Sequence, residues 1–123
     1  SDSASSEWDT DPDLRELRDG FLASFPERIR VLGEAVSAKE VQHVAHKVAG
    51  VAGSYGFSLL TELGLAIDRA MDTPEGREMG PDRVAGVRSA LSAALVLVSS
   101  TRSDVPKEAV ERVVALLAGA TEQ

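Results

Sequence analysis

Two histidines, two glycines and two lysines share one short segment, Lys39-Glu40-Val41-Gln42-His43-Val44-Ala45-His46-Lys47-Val48-Ala49-Gly50-Val51-Ala52-Gly53. Imidazole is the side chain best suited to nucleophilic or proton-transfer work near neutral pH, because in its neutral form one ring nitrogen keeps a free lone pair. On a protein surface such a nitrogen can accept a phosphoryl group and hand it on. The pair His43/His46 also invites a metal reading, since histidines three apart can share an ion. Two ligands are too few, and their directions differ by about 60° on a helix. Glu40-Val41-Gln42-His43 has the Glu-x-x-His spacing of a carboxylate-bridged centre, but once only, where two inward-facing copies are needed. No catalytic triad, Gly-rich nucleotide loop or GxxxxGK[ST] sequence accompanies these residues.

On a helix, Val41, Ala45, Val48 and Ala52 form one apolar stripe flanked by Val44, and this stripe must face a core. Measured from Val41, His46 lies at about 140°, Gly50 at about 180° and Gly53 at about 120°. His46 therefore points away from the core, and the positions one and two turns beyond it have no side chain. A mid-helix glycine costs up to about 1 kcal/mol relative to alanine, so two of them take roughly 2 from a total stability of about 5–15. Close helix packing is the plain explanation, but the core stripe is on the other side. The functional explanation is access, a bare surface that lets a bulky group or another protein reach the imidazole.

The elements that place this face are helical. Leu14, Leu17, Phe21, Phe25, Ile29, Leu32 and Val36 recur in steps of three and four, which predicts an amphipathic helix. Pro26 falls inside it and removes one hydrogen bond, so a kinked helix or two nearly collinear ones are expected. Ser37-Ala38-Lys39-Glu40 is a capping box that starts the helix carrying His46, ending near Gly53. After a break at Ser54–Gly56, a third helix has Leu59, Leu60, Leu63, Ile67, Ala70 and Met71 on its apolar side. Asp72–Gly80 reads as a loop. Pro81 opens a fourth helix with Val84, Val87, Leu91, Leu95 and Val98 at helical spacing. A last helix follows, with Asp104 as its cap, Pro106 in its first turn, Ala109, Val110, Val113, Leu116 and Leu117 as its stripe, and Gly119 at its end. With no alternating strand pattern, the fold class is all-α: an antiparallel four-helix bundle over 13–101, preceded by a loose leader over 1–12 and followed by an additional helix and tail over 102–123. Trp8 is the one leader residue able to fold back onto the bundle.

Composition narrows the function classes. The chain has 123 residues, 43% of them hydrophobic and only five aromatic, so one domain with a core of Leu, Val and Ala is expected. It has no cysteine, which removes disulfides and thiolate chemistry and is compatible with a reducing cytoplasm. The net charge of −7 disfavours nucleic acid and anionic membrane surfaces as partners. No unbroken apolar run approaches the 18 or so residues of a bilayer span. The opening SDSASSEW has neither an initiator Met nor a signal pattern and suggests an excised or processed domain.

Ala45-His46-Lys47-Val48-Ala49-Gly50, continuing to Ala52, Gly53, Gly56 and Phe57, resembles the phosphorylation-site signature of histidine phosphotransfer (Hpt) domains, in which an Ala-His pair is followed by Gly at +4 and +10. Phe-x-x-x-Phe-Pro-Glu-Arg at 21–28 is similar to the family's first bundle helix. The resemblance covers roughly residues 13–101. It implies an Hpt-like four-helix bundle working as a cytoplasmic monomer in a phosphorelay, with His46 as the phosphorylated residue and Gly50 giving access to it. It implies response-regulator receiver domains and a sensor or hybrid histidine kinase as partners, no cofactor of the chain's own, and Mg²⁺ held by the receiver. The family's usual Lys at +3, which helps to hold the phosphoryl oxygens, is Ala49 here. Lys39, on the face of His46, and Lys47, adjacent but about 100° away, are the candidate substitutes. The family's polar residue on the next helix, which bonds the imidazole's other nitrogen, falls at Asp68, where a carboxylate would orient the ring. Val51 and Tyr55 are expected at an apolar rim that docks the partner. A helical adaptor or dimerisation module with this fold but without phosphorylation is the alternative.

Overall fold

The computed structural model describes residues 10–119, so the expectation that Trp8 folds back onto the bundle lies outside the described residues. The elements are α1 (Pro12–Ala23), α2 (Phe25–Gly33), α3 (Ala38–Ala52), a 3₁₀ turn (Gly53–Tyr55), α4 (Ser58–Met71), α5 (Pro74–Arg77), α6 (Pro81–Thr101) and α7 (Lys107–Leu117). Among the described residues there is no strand. The consecutive α1 and α2 form one stave of the bundle, and α3, α4 and α6 form the other three.

The first stave departs from the predicted stripe. It breaks at Ser24, two residues before Pro26, which then sits in the first turn of α2 where its missing N–H costs nothing. Across the break the phase shifts: Arg18, Phe21, Leu22, Phe25 and Leu32 are buried, while Leu17 is 56% and Val36 74% exposed. The later stripes hold. Val41, Ala45, Val48 and Ala52 of α3 have no exposed surface, nor do Val87, Leu91, Leu95 and Val98 of α6. Four of the chain's aromatics close one end of the core. Phe21 meets Phe25 edge-on at 4.9 Å, stacks on Tyr55 at 5.1 Å and tilts against Phe57 at 6.1 Å.

The capping box on α3 is fully formed: Glu40 N–H donates to Ser37 Oγ at 3.2 Å, and Glu40 Oε1 accepts from Ser37 N–H at 3.0 Å. Asp104 does not cap its own helix. Its carboxylate accepts from Leu59 and Leu60 N–H at 2.8 and 2.9 Å, the second and third residues of α4, whose own N-cap position is Phe57 and has no acceptor to offer. The C-terminal helix is thus tied into the fold. α7 lies on α4 and α6, Val105 and Val113 join the core, and Arg83 donates to Leu116 and Leu117 O at 3.2 and 2.5 Å.

Helix α6 is the longest element among the described residues. It is 21 residues long and, by length and composition alone, apolar enough to match a membrane span. Arg83, Arg88, Ser89 and Ser92 interrupt it, so no unbroken apolar run of that length is present, as expected from the sequence. The helix's most buried residues are the seam of the bundle core, and Arg88 on its flank donates to Ala35 O at 2.7 Å.

Candidate functional site

His46 stands on the outer side of α3, with 70% of its side chain exposed. Gly50, one turn on, is also exposed, and a Cβ built there would meet nothing within 4 Å. Packing therefore does not account for Gly50. Gly53 differs: it ends α3 and begins the 3₁₀ turn, so it carries no mid-helix penalty, and a Cβ there would come within 3.2 Å of Thr61 Oγ1.

The ring of His46 is oriented from α4. Its Nδ1 lies 2.8 Å from Asp68 Oδ2, and the Asp68 side chain is only 16% exposed. Burial pushes the Asp68 carboxyl up, but the hydrogen bonds from Gln42 and His46 and the charges of His46 and Arg69 outweigh this and hold it below the ordinary aspartate value. An ionised carboxylate can only accept, so the hydrogen in this bond belongs to Nδ1. In the neutral ring the lone pair is then on Nε2.

Sequence reasoning missed two members of this site. Gln42, one turn before His46, donates through Nε2 to Asp68 Oδ1 at 2.8 Å, so both carboxylate oxygens are engaged by residues of α3. The i, i+4 spacing of Gln42 and His46 was a usable signal for it. Arg77, 37% exposed, donates through Nη1 to Gln42 Oε1 and through Nη2 to Asp72 Oδ1 at 3.2 Å. It had no such signal, because it reaches the site from α5, inside the segment read as loop. That helix is capped by Thr73, whose Oγ1 accepts from Gly76 N–H at 2.9 Å and donates to Ala70 O at 2.9 Å. Gly76 is buried against the backbone of Ala70 and Met71, which leaves no room for a Cβ.

The lysines separate. Lys39 lines the same groove of about 700 Å³ as His46, together with Gln42, Asp68, Asp72 and Arg77. Lys47 lines a different groove, beside Glu27, Arg28 and Val31. Ala49 is 6% exposed and faces α4, where a Cβ on Gly64 would come within 2.9 Å of Ala45 O and 3.0 Å of Ala49 Cβ. Here α3 and α4 approach through small residues, and the Ala49 methyl packs into that contact. Val51 and Tyr55 are half-buried and packed on the core, the Tyr55 ring being stacked on Phe21. The freely exposed apolar side chain bordering the His46 groove is Val31, at 40%. Among the described residues no group of three or more His, Asp or Glu converges as a metal site would.

A family model described as the Hpt domain matches residues 16–98. A search of the curated proteins and of the solved structures finds no match.

Proposed function

Since the chain belongs to the Hpt domain family, whose members carry phosphoryl groups on histidine in two-component phosphorelays, we propose that His46 is its phosphoacceptor, taking the group from, and returning it to, aspartates of receiver domains. The observation that carries this is the pairing of an exposed imidazole with a shielded carboxylate at 2.8 Å.

The chemistry follows from that pairing. Nε2 attacks the phosphorus of an aspartyl phosphate. The N–P bond forms as the P–O bond breaks, and the aspartate carboxylate leaves with the electron pair. Nδ1 keeps its proton throughout, so the product is a phosphoimidazolium whose positive charge faces Asp68. Return of the group to an aspartate is the same path reversed. Asp68 orients the ring and balances its charge, Gln42 fixes Asp68, and Gly50 keeps the approach open.

On this reading the chain is a carrier and not a catalyst. It acts as a cytoplasmic monomer on a response-regulator receiver domain and a sensor or hybrid histidine kinase. Mg²⁺ belongs to the receiver's acidic site, and the chain needs no cofactor of its own. The net charge of −7 supports protein partners over nucleic acid.

Profiling against the receiver domains of the source organism tests the proposal. Each receiver is phosphorylated, mixed with the chain, and the mixture assayed for acid-labile, base-stable label. At least one receiver is expected to label the wild type and none to label His46→Gln, with both proteins unfolding at the same temperature. Absence of label on the wild type across the whole panel, or equal label on His46→Gln, would overturn the proposal and favour a helical adaptor.

A further inference from the structure

A phosphoryl group on His46 arrives on acidic ground. Asp68 is on the other nitrogen of the ring, and Glu34, Glu40 and Asp72 line the same groove. Left unopposed, these carboxylates would repel both the incoming group and its attachment to Nε2. Ala49, buried against Gly64, carries no charge, and Lys47 lines a different groove. Two permanent cations remain on the groove wall, Lys39 and Arg77.

They are not equivalent. Lys39 is seven residues before His46, about 10 Å along the helix axis. Arg77 bonds Gln42, the residue one turn before His46 on the same helix. Arg77 is also the last member of a continuous relay from the ring: His46 Nδ1 to Asp68, Asp68 to Gln42, Gln42 to Arg77, with Asp72 on the far side of the guanidinium. The position of the guanidinium is fixed at both ends. Gln42 and Asp72 hold its head, while Gly76, seated on the Ala70 and Met71 backbone, holds the helix it comes from. These bonds use two of the five N–H donors of an arginine. Three further N–H donors remain for other acceptors, such as phosphoryl oxygens.

We propose that Arg77 binds the phosphoryl oxygens on His46, supplying from a separate helix the positive charge that Ala49 does not. The inference rests on the reading of His46 as the phosphoacceptor, and it assigns a specific residue to hold the group in place.

The test uses phosphoramidate as a small phosphodonor, so that no partner protein is needed. Its P–N bond breaks, ammonia leaves with the electron pair, and the phosphoryl group passes to the imidazole nitrogen. ³¹P NMR then follows the phosphohistidine resonance of the whole chain as pH is varied, with His46→Gln assigning the signal. In Arg77→Ala the midpoint for ionisation of the phosphoryl oxygens is expected to move to higher pH, because the doubly charged form has lost its cation. Labelling is expected to slow by about tenfold or more, in line with removal of one charge-stabilising donor. Arg77→Lys, which keeps the charge but not the guanidinium, is expected to restore most of the midpoint and part of the rate. A role limited to propping Gln42 would slow labelling without moving the midpoint, and that result would overturn the inference. So would a larger midpoint shift in Lys39→Ala than in Arg77→Ala. Absence of the His46 resonance from the wild type would instead overturn the phosphoacceptor reading itself, and the inference with it.

Discussion

An imidazole that is 70% exposed has no reason of its own to hold one orientation, and Asp68 supplies the reason. The carboxylate accepts from His46 on one oxygen and from Gln42 on the other, so it is saturated along the line of the ring. An asparagine at 68 would keep the shape but offer one acceptor and one donor. Bonding His46 Nδ1–H would turn its amide N–H₂ toward Gln42 Nε2, donor against donor, and Gln42 could relieve this only by turning over and releasing Arg77. The charge also has a thermodynamic consequence. The Asp68 carboxyl is held below its ordinary value in the fold, so its contribution to stability is complete above the usual aspartate range and is lost as pH falls through the lowered value. Asp68→Asn is therefore expected to be less stable than wild type at pH 7, with the gap closing on acidification toward pH 3. Urea midpoints measured across that interval check this, and a gap that stays constant with pH would show that the carboxylate's charge is irrelevant to folding. Exposed pairs such as Arg30 with Glu27 and Glu34 are expected to add little to the same curve.

Elements differ in how far they can be read from the chain. α3 and α6 are legible because a single period holds from end to end, and burial follows it residue by residue. The first stave is not, because the break at Ser24 resets the phase and brings Arg18 and Leu22 inward in place of Leu17. The site was half legible on similar grounds. His46 and Gln42 share a helix face and Asp68 came from the family resemblance, but α5 is four residues long and offers no period to detect. Asp104 shows the same limit. Its place before Pro106 suggested a local cap, whereas it closes the start of α4, 45 residues earlier in the chain, because Phe57 leaves the second and third amides of that helix without a partner. Removing these bonds in Asp104→Ala is expected to cost about 1–2 kcal/mol, the upper part of the range for an N-cap. A thermal or urea melt measures the loss. An unchanged midpoint would mean that water replaces the carboxylate at no cost. His46 labelling in the same variant is expected to persist, since α4 is held against α3, and Asp68 near His46, by the contact between the two helices.

For the molecule as a whole, the boundary of the family match and the boundary of the core do not coincide. The match ends at residue 98, yet Val105 and Val113 are buried in the same hydrophobic cluster as α3, α4 and α6. α7 fills the side between α4 and α6, and Asp104, Arg83 and the ion pair of Arg102 with Asp19 fasten this end of the chain to three other elements. It is therefore a fifth helix integral to this particular bundle and not an appendage. A chain cut after Thr101 would leave the start of α4 uncapped and expose the apolar surface that Val105, Val113 and the half-buried Ala109, Val110, Leu116 and Leu117 now cover. The lost cap costs about 1–2 kcal/mol and each fully buried valine about 1.5 or more, so the total exceeds roughly 4 kcal/mol. Set against a marginal stability of about 5–15 kcal/mol, at roughly 4 °C of melting temperature per kcal/mol, the shortened chain is expected to melt at least about 15 °C lower or not to fold cooperatively. Calorimetry of the two chains decides the point. A melting temperature within a few degrees of the full chain would show that α7 only rests on the bundle, and it would leave the helices that carry His46, Asp68 and Arg77 as the smaller folding unit.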